Sequence, residues 1–219
     1  MTIEKLLQDR PLFHAWDDGS PTSFATSPKV LQFIYDHAQK EMTTLETGSG
    51  YSTVAFAMAG TNHICITPFA EEAKKILEYC NKIGLQPNIT SLTGSSDTIL
   101  PTNNNIPETL DFVFIDGAHR FPYACVDFHY TGEKVRVGGI LGVDDVDMPS
   151  VKVLYDFLKG EEDWELMERI KDTAFFKRIK TPNHVMDWQG QGMNQGYKKR
   201  KEWRYSIKQR VKKMLPFWL

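Results

Sequence analysis

The chain has little cysteine, and nothing suggests that its thiols are paired. Cys65, Cys80 and Cys125 leave one over in any pairing, and no two stand in the C-x-x-C spacing of a zinc or redox motif. Reduced thiols in a cytoplasmic protein are the expectation. Long apolar runs are also missing: none reaches the ~20 positions that a membrane-spanning helix needs. The stretch from Met1 to Arg10 holds Glu4 and Asp9 and has no apolar core, so it does not read as a secretory signal. No internal repeat is visible. Positive charge is not in excess either, the formal net charge being −2. The balance is uneven, with nine Lys or Arg against Asp187 and Glu202 from residue 181 onward and a mildly acidic body before it. Such a body is not expected to bind nucleic acid. What is present is an ordinary globular composition, 41% hydrophobic and 25% charged over 219 residues. It fits one domain, residues 1–180, with a basic C-terminal extension, residues 181–219.

Hydrophobic periodicity divides the body into alternating strands and helices. A short helix is expected over residues 3–9, then a loop from Pro11 to Ser27 turned by Asp17-Asp18-Gly19-Ser20-Pro21. Phe13, Trp16 and Phe24 in that loop read as packing groups, with cover for a ligand as the other reading. Ser27 and Pro28 open a helix that runs to about Lys40. Strands follow at residues 43–46, 63–67, 88–93, 110–115 and 140–143, with helices at 52–59, 69–83, 121–136 and 150–158. Residues 101–107 read as an Asn- and Pro-rich loop. Trp164–Ile170 and Thr173–Ile179 close the body as two strands near enough for a hairpin. Five strands alternating with helices require a parallel sheet covered on both faces. The fold expected is therefore α/β: a doubly wound, mostly parallel, seven-stranded Rossmann-like sheet with a C-terminal antiparallel hairpin.

The chain is organised around Thr43-Thr44-Leu45-Glu46-Thr47-Gly48-Ser49-Gly50-Tyr51-Ser52-Thr53. It reads as a buried strand, a glycine turn and the first turn of a helix. Gly48 and Gly50 let backbone and ligand approach closely, and the unpaired N–H groups at Ser52 and Thr53 favour a carboxylate or other anion. Glu46 is expected to face the same crevice. Taken alone, the pair of glycines is equally an ordinary strand-to-helix turn. A dinucleotide fingerprint would need a third small residue where Thr53 stands.

Other candidate groups fall at the same edge of the sheet, where ligands of such folds bind. The second strand ends in Thr67, a hydroxyl rather than an acid. The third leads into Gly94-Ser95-Ser96-Asp97, where Ser96 and Asp97 either bond an adenine edge or cap a turn. The fourth ends in Asp116-Gly117-Ala118-His119 and the fifth in Asp144-Asp145. Carboxylates gathered in one place raise one another's pKa unless a cation neutralises them, and an oxygen-only set suits a hard ion such as Mg²⁺. The other reading has these aspartates capping helices and turns. His119 has the ordinary pKa of a general base at neutral pH. His129 reads as a residue that packs its helix on the sheet.

Leu45–Thr53, Gly94–Pro101, Asp111–His119 and Gly138–Val146 together resemble the class I S-adenosylmethionine-dependent methyltransferases, above all their small metal-dependent O-methyltransferase branch. The likeness runs over residues 28–180. It implies that Glu46, Gly48, Ser49, Gly50 and Ser52 hold the methionine part of S-adenosyl-L-methionine, Thr67 lies by the ribose, and Ser96 and Asp97 lie by the adenine. It further implies that Asp116 borders the cofactor, that Asp116, Asp144 and Asp145 hold Mg²⁺, and that His119 is the base. Thr67 departs from the family pattern, which has an acid there. The expected activity is methylation of a hydroxyl on a small molecule or sugar. The alternatives are a metal-independent methyltransferase and a non-catalytic cofactor-binding module recruited through its tail. In that tail Trp203, Ile207, Val211, Met214 and Trp218 recur at helical spacing among cations. Such a helix suits an anionic membrane surface, a partner or second subunit, or simple packing on the body.

Overall fold

A computed structural model describes residues 2–23, 26–181, 191–195, 197, 200–201 and 203–207. Phe24 and most of the tail, Val211, Met214 and Trp218 included, lie outside the described residues. The elements run α1 (Ile3–Asp9), β1 (His14–Ala15), β2 (Pro21–Thr22), α2 (Pro28–His37), β3 (Thr43–Thr47), α3 (Tyr51–Ala59), β4 (Asn62–Thr67), α4 (Ala70–Lys82), β5 (Asn88–Thr93), α5 (Ser96–Thr102), β6 (Leu110–Ile115), α6 (Tyr123–Thr131), β7 (Val135–Val143), α7 (Pro149–Gly160), β8 (Trp164–Ile170) and β9 (Thr173–Arg178). The seven-stranded sheet has the order β5-β4-β3-β6-β7-β9-β8. Pairing is parallel from β5 to β7, while β9 runs antiparallel to both β7 and β8.

Alternation along the strands builds two cores. On β6, Phe112 and Phe114 face one side with Val54, Phe56 and Phe175. Val113 and Ile115 face the other with Leu45, Leu141, Leu154 and Phe176. A strand buried on both faces needs apolar residues at every position, and all four of these β6 side chains are fully or almost fully buried. Helices α1 to α4 cover the first face, and α5 to α7 the second.

Four local expectations change. The loop of residues 11–27 contains the small β1–β2 hairpin. Residues 96–102 form a helix that Pro101 does not prevent, because a proline this near the end of a short helix breaks few of its bonds. The helix before β7 stops at Thr131 and passes through a 3₁₀ turn, Gly132–Lys134, so that β7 begins at Val135. His129 is exposed and does not pack on the sheet; Ala124, Asp127 and Thr131 form the buried stripe of α6.

The chain leaves β3 toward β4 and β5, then returns to β6 on the other side of β3. The tips of β3 and β6 therefore border the crevice where the winding reverses, the place where such sheets bind ligands. The ladder continues past the strand ends: Asp116 N–H donates to Thr47 O at 3.1 Å and Asp144 N–H to Ile115 O at 3.0 Å.

Candidate active site

Gly48 joins the two tips. Its φ of +95° belongs to glycine, and a Cβ there would lie 2.2 Å from the carbonyl oxygen of Asp116. Its N–H donates to Ile66 O at 2.8 Å, which ties the turn to β4. Gly50 begins α3 with an extended φ of 168°, and a Cβ on it would meet His14 Nε2 at 3.2 Å. Between the two glycines, Ser49 Oγ is buried with no hydrogen-bond partner among the described residues.

Glu46 departs from the expectation. Its side chain is fully buried beneath α3 and does not face the crevice. Ser52 Oγ donates to Glu46 Oε2 at 2.7 Å, Thr53 Oγ1 donates to Glu46 Oε1, and His63 Nε2 lies 3.1 Å from Oε1. Thr53 Oγ1 also accepts the Gly50 N–H at 2.8 Å. The register that sets Thr44 beside His63 puts Glu46 on the same sheet face as that imidazole. A buried carboxylate is tolerable only when hydrogen-bonded this fully, and here it fixes the turn from behind. Ser52, 2% exposed, serves the same network. Thr53→Ala is therefore expected to cost about 2 kcal/mol of stability, by leaving Gly50 N–H and Glu46 underbonded. Thr53→Ser should stay near the wild type, with melting temperature as the readout.

His119 stands at the tip of β6 between two acids. Its Nδ1 is 3.2 Å from Asp145 Oδ2 and its Nε2 is 3.6 Å from Asp116 Oδ1. Ser150 Oγ donates to the His119 carbonyl and ties the loop to α7. Nε2 is buried and makes no hydrogen bond. Asp116 above all, then Asp145 and Asp144, raise the imidazole pKa against the opposing effect of burial. Burial, together with the charges of Asp144 and Glu46, pushes Asp116 up to about 7, with His119 acting in the other direction.

The three aspartates do not close on one point. Thr173 Oγ1 donates to Asp144 Oδ1, while Asp145, at a left-handed φ of 53°, turns to His119. Among the described residues no group of three or more His, Cys, Asp or Glu side chains is arranged to hold a metal ion. The set expected for Mg²⁺, Asp116 with Asp144 and Asp145, is not gathered around one point as placed: Asp144 turns to Thr173 and Asp145 to His119.

Toward the other side of the crevice, Thr67 is 1% exposed. Its hydroxyl accepts from Phe69 N–H at 3.3 Å and donates to Glu72 Oε2 at 3.4 Å, so Thr67 is not an open ligand group. Ser96 is buried at the start of α5, whereas Asp97 is exposed and accepts from Ser95 Oγ. Phe13 is buried against Tyr51 and Tyr79, and Trp16 stays exposed.

Three polar residues belong to this region that periodicity did not single out: His63, Glu72 and Asp127. Asp127 lies fully buried on α6, and neither carboxylate oxygen makes a well-formed hydrogen bond. A Cβ on Gly117 would come within 3.2 Å of Thr47 Oγ1 and 3.4 Å of Asp127 Oδ2, so both oxygens line the floor beneath Gly117. Burial raises the Asp127 pKa, and the hydroxyls of Ser96 and Thr47 oppose it. The signal was an acid in register with Ala124 and Thr131 on the inward stripe of a helix.

The residues present fit an adenosyl sulfonium. A glycine turn with an unpartnered hydroxyl suits its amino-acid end, and the carboxylates beyond Gly48 suit its positive charge. Residues 45–146 match the model of a family described as a methyltransferase domain. No curated protein sequence is significantly similar to the chain. The O-methyltransferase TomG of Streptomyces achromogenes, involved in tomaymycin synthesis and solved with SAM, is similar in fold (TM-score 0.59, 20% identity, 71% of this chain and 82% of that one covered). So is an O-methyltransferase from Bacillus cereus in complex with SAH (TM-score 0.63, 18% identity, 81% and 90% covered). The SAH-bound methyltransferase PaMTH1 of Podospora anserina is a third (TM-score 0.57, 16% identity, 71% and 80% covered). At these identities the likeness is one of fold.

Proposed function

We propose that the chain is a class I S-adenosylmethionine-dependent methyltransferase that methylates a hydroxyl of a small molecule, with His119 as the general base. The observation that carries this reading is the place of His119 at the tip of β6, with Nδ1 3.2 Å from Asp145 Oδ2 and Nε2 turned toward Asp116, 3.6 Å from its Oδ1. An imidazole that donates Nδ1–H to a carboxylate keeps its Nε2 lone pair free to take a proton. Neighbours of similar fold that are named O-methyltransferases support oxygen as the acceptor atom.

The cofactor, when bound, supplies an electrophilic methyl group. The protein's part is to hold and orient. Gly48, Ser49 and Gly50 seat the amino-acid end of the cofactor, and the Glu46 network keeps their backbone in place. Ser96 and Asp97, at the start of α5, border the adenine. Asp116 lies between Gly48 and His119 and offsets the sulfonium charge. His119 takes the hydroxyl proton at Nε2 as the oxygen becomes a nucleophile. Most of the acceleration comes from holding two reactants in line.

Mg²⁺ is not carried into this reading, because Asp144 and Asp145 turn to different partners, Thr173 and His119. Turnover is expected to stay within about twofold after treatment with EDTA, since proton removal is assigned to a side chain. Loss of activity with EDTA, restored by added Mg²⁺, would instead show that Asp144 and Asp145 reorganise around a metal.

A further inference from the structure

The carboxyl tip of β4 carries no acid. In doubly wound sheets that bind nucleosides, ribose hydroxyls are met by a carboxylate about 20 residues past the glycine turn. Here the tip is Thr67, with its hydroxyl already engaged. A carboxylate nevertheless reaches the same place from the next element. Glu72, in the first turn of α4, accepts from Thr67 at Oε2, and its Oε1 lies 2.9 Å from His14 Nδ1. Its side chain is 15% exposed, so it is held in place rather than free to swing.

His14 ties this carboxylate to the glycine turn, because its Nε2 lies 3.2 Å from the place of a Cβ on Gly50. The strand around it is fastened on both sides. Tyr51 OH donates to Pro11 O at 3.1 Å, and Lys75 Nζ donates to Phe13 O at 3.4 Å. Residues 11–15 thus run as a strap from the start of α3 to the first turns of α4. We infer that Glu72, oriented by His14 and Thr67, binds the ribose diol of the cofactor in place of an acid at the tip of β4. The inference rests on the S-adenosylmethionine reading above. A carboxylate offers about four lone-pair directions. Thr67 and His14 take two, and two remain for vicinal hydroxyls. The same negative charge repels a 2′-phosphate, so the site selects an unphosphorylated ribose.

The test is calorimetric titration of the full chain with S-adenosylhomocysteine and with its 2′-deoxy and 3′-deoxy forms, for the wild type and Glu72→Gln. The wild type should bind at least one deoxy form about tenfold to a hundredfold more weakly than the parent, as expected for a lost hydrogen bond to a charged group. Glu72→Gln should bind the parent more weakly by a similar factor and discriminate by no more than about twofold. A purely structural role for Glu72 would lower melting temperature and leave the discrimination intact, which would overturn the assignment. Equal binding of the parent compound by both proteins would do the same. No binding of S-adenosylhomocysteine by the folded wild type would overturn the cofactor reading and this inference with it. Glu72→Asp, which withdraws the carboxylate by one methylene, gives the same comparison should Glu72→Gln not fold.

Discussion

Gly48→Ala is expected to abolish cofactor binding and to lower stability by about 3 kcal/mol or more. Two costs combine. The left-handed backbone at φ +95° opposes any Cβ by about 1–2 kcal/mol. The methyl group would also stand 2.2 Å from the carbonyl oxygen of Asp116, and overpacking of this kind costs about 1–3 kcal/mol. The obstructing atom is backbone, so relief requires the tips of β3 and β6 to part. That movement widens the crevice where the amino-acid end of the cofactor is placed. Gly50→Ala is the control: its φ of 168° suits any residue, and its Cβ meets only the His14 ring, at 3.2 Å. Thermal unfolding and titration with S-adenosylhomocysteine should show a severe loss at Gly48 and a mild one at Gly50. Equal effects would mean that the turn, not the contact between strand tips, governs binding.

His119→Ala is expected to lower kcat by about 10²- to 10⁴-fold, the usual contribution of a positioned base, with affinity for S-adenosylhomocysteine nearly unchanged. The pH dependence has a definite sign. The base must be neutral to act, so kcat rises with pH through the His119 pKa, and neighbouring carboxylates set that pKa above its ordinary value. Asp145→Asn removes one of those charges. The acid limb should then move to lower pH, and kcat should fall because the ring loses the acceptor that holds Nδ1–H. A limb that stays in place in both Asp145→Asn and His119→Ala would assign the titration to another group.

How much of this was legible in the sequence depends on the range of the forces involved. The run Leu110–Ile115, apolar but for Asp111, declared a strand buried on both sides, because alternation between two cores leaves little room for polar side chains. The glycine turn was legible from Gly48, whose left-handed backbone few other residues adopt. The hairpin at the end followed from two short strand-like runs close together. Helix α5 was hidden by Pro101 and its shortness. Glu46 was misread because its partner, His63, is supplied by the neighbouring strand, and sequence distance says nothing about parallel register. Glu72 is an acid in the first turn of α4, where the helix start favours negative charge. Its second role depends on His14, brought over by a strap that joins elements far apart in the chain. The three aspartates were correctly placed at neighbouring strand tips. Their side-chain directions were set by Thr173 and by the left-handed turn at Asp145, neither of which periodicity reveals.

A crystal structure of the complex with S-adenosylhomocysteine tests the central claim most directly. The amino-acid end is expected against Gly48, Ser49 and Gly50, with the sulfur turned toward Asp116 and His119. Product bound elsewhere, or seated in the crevice with its sulfur facing away from His119, would contradict it.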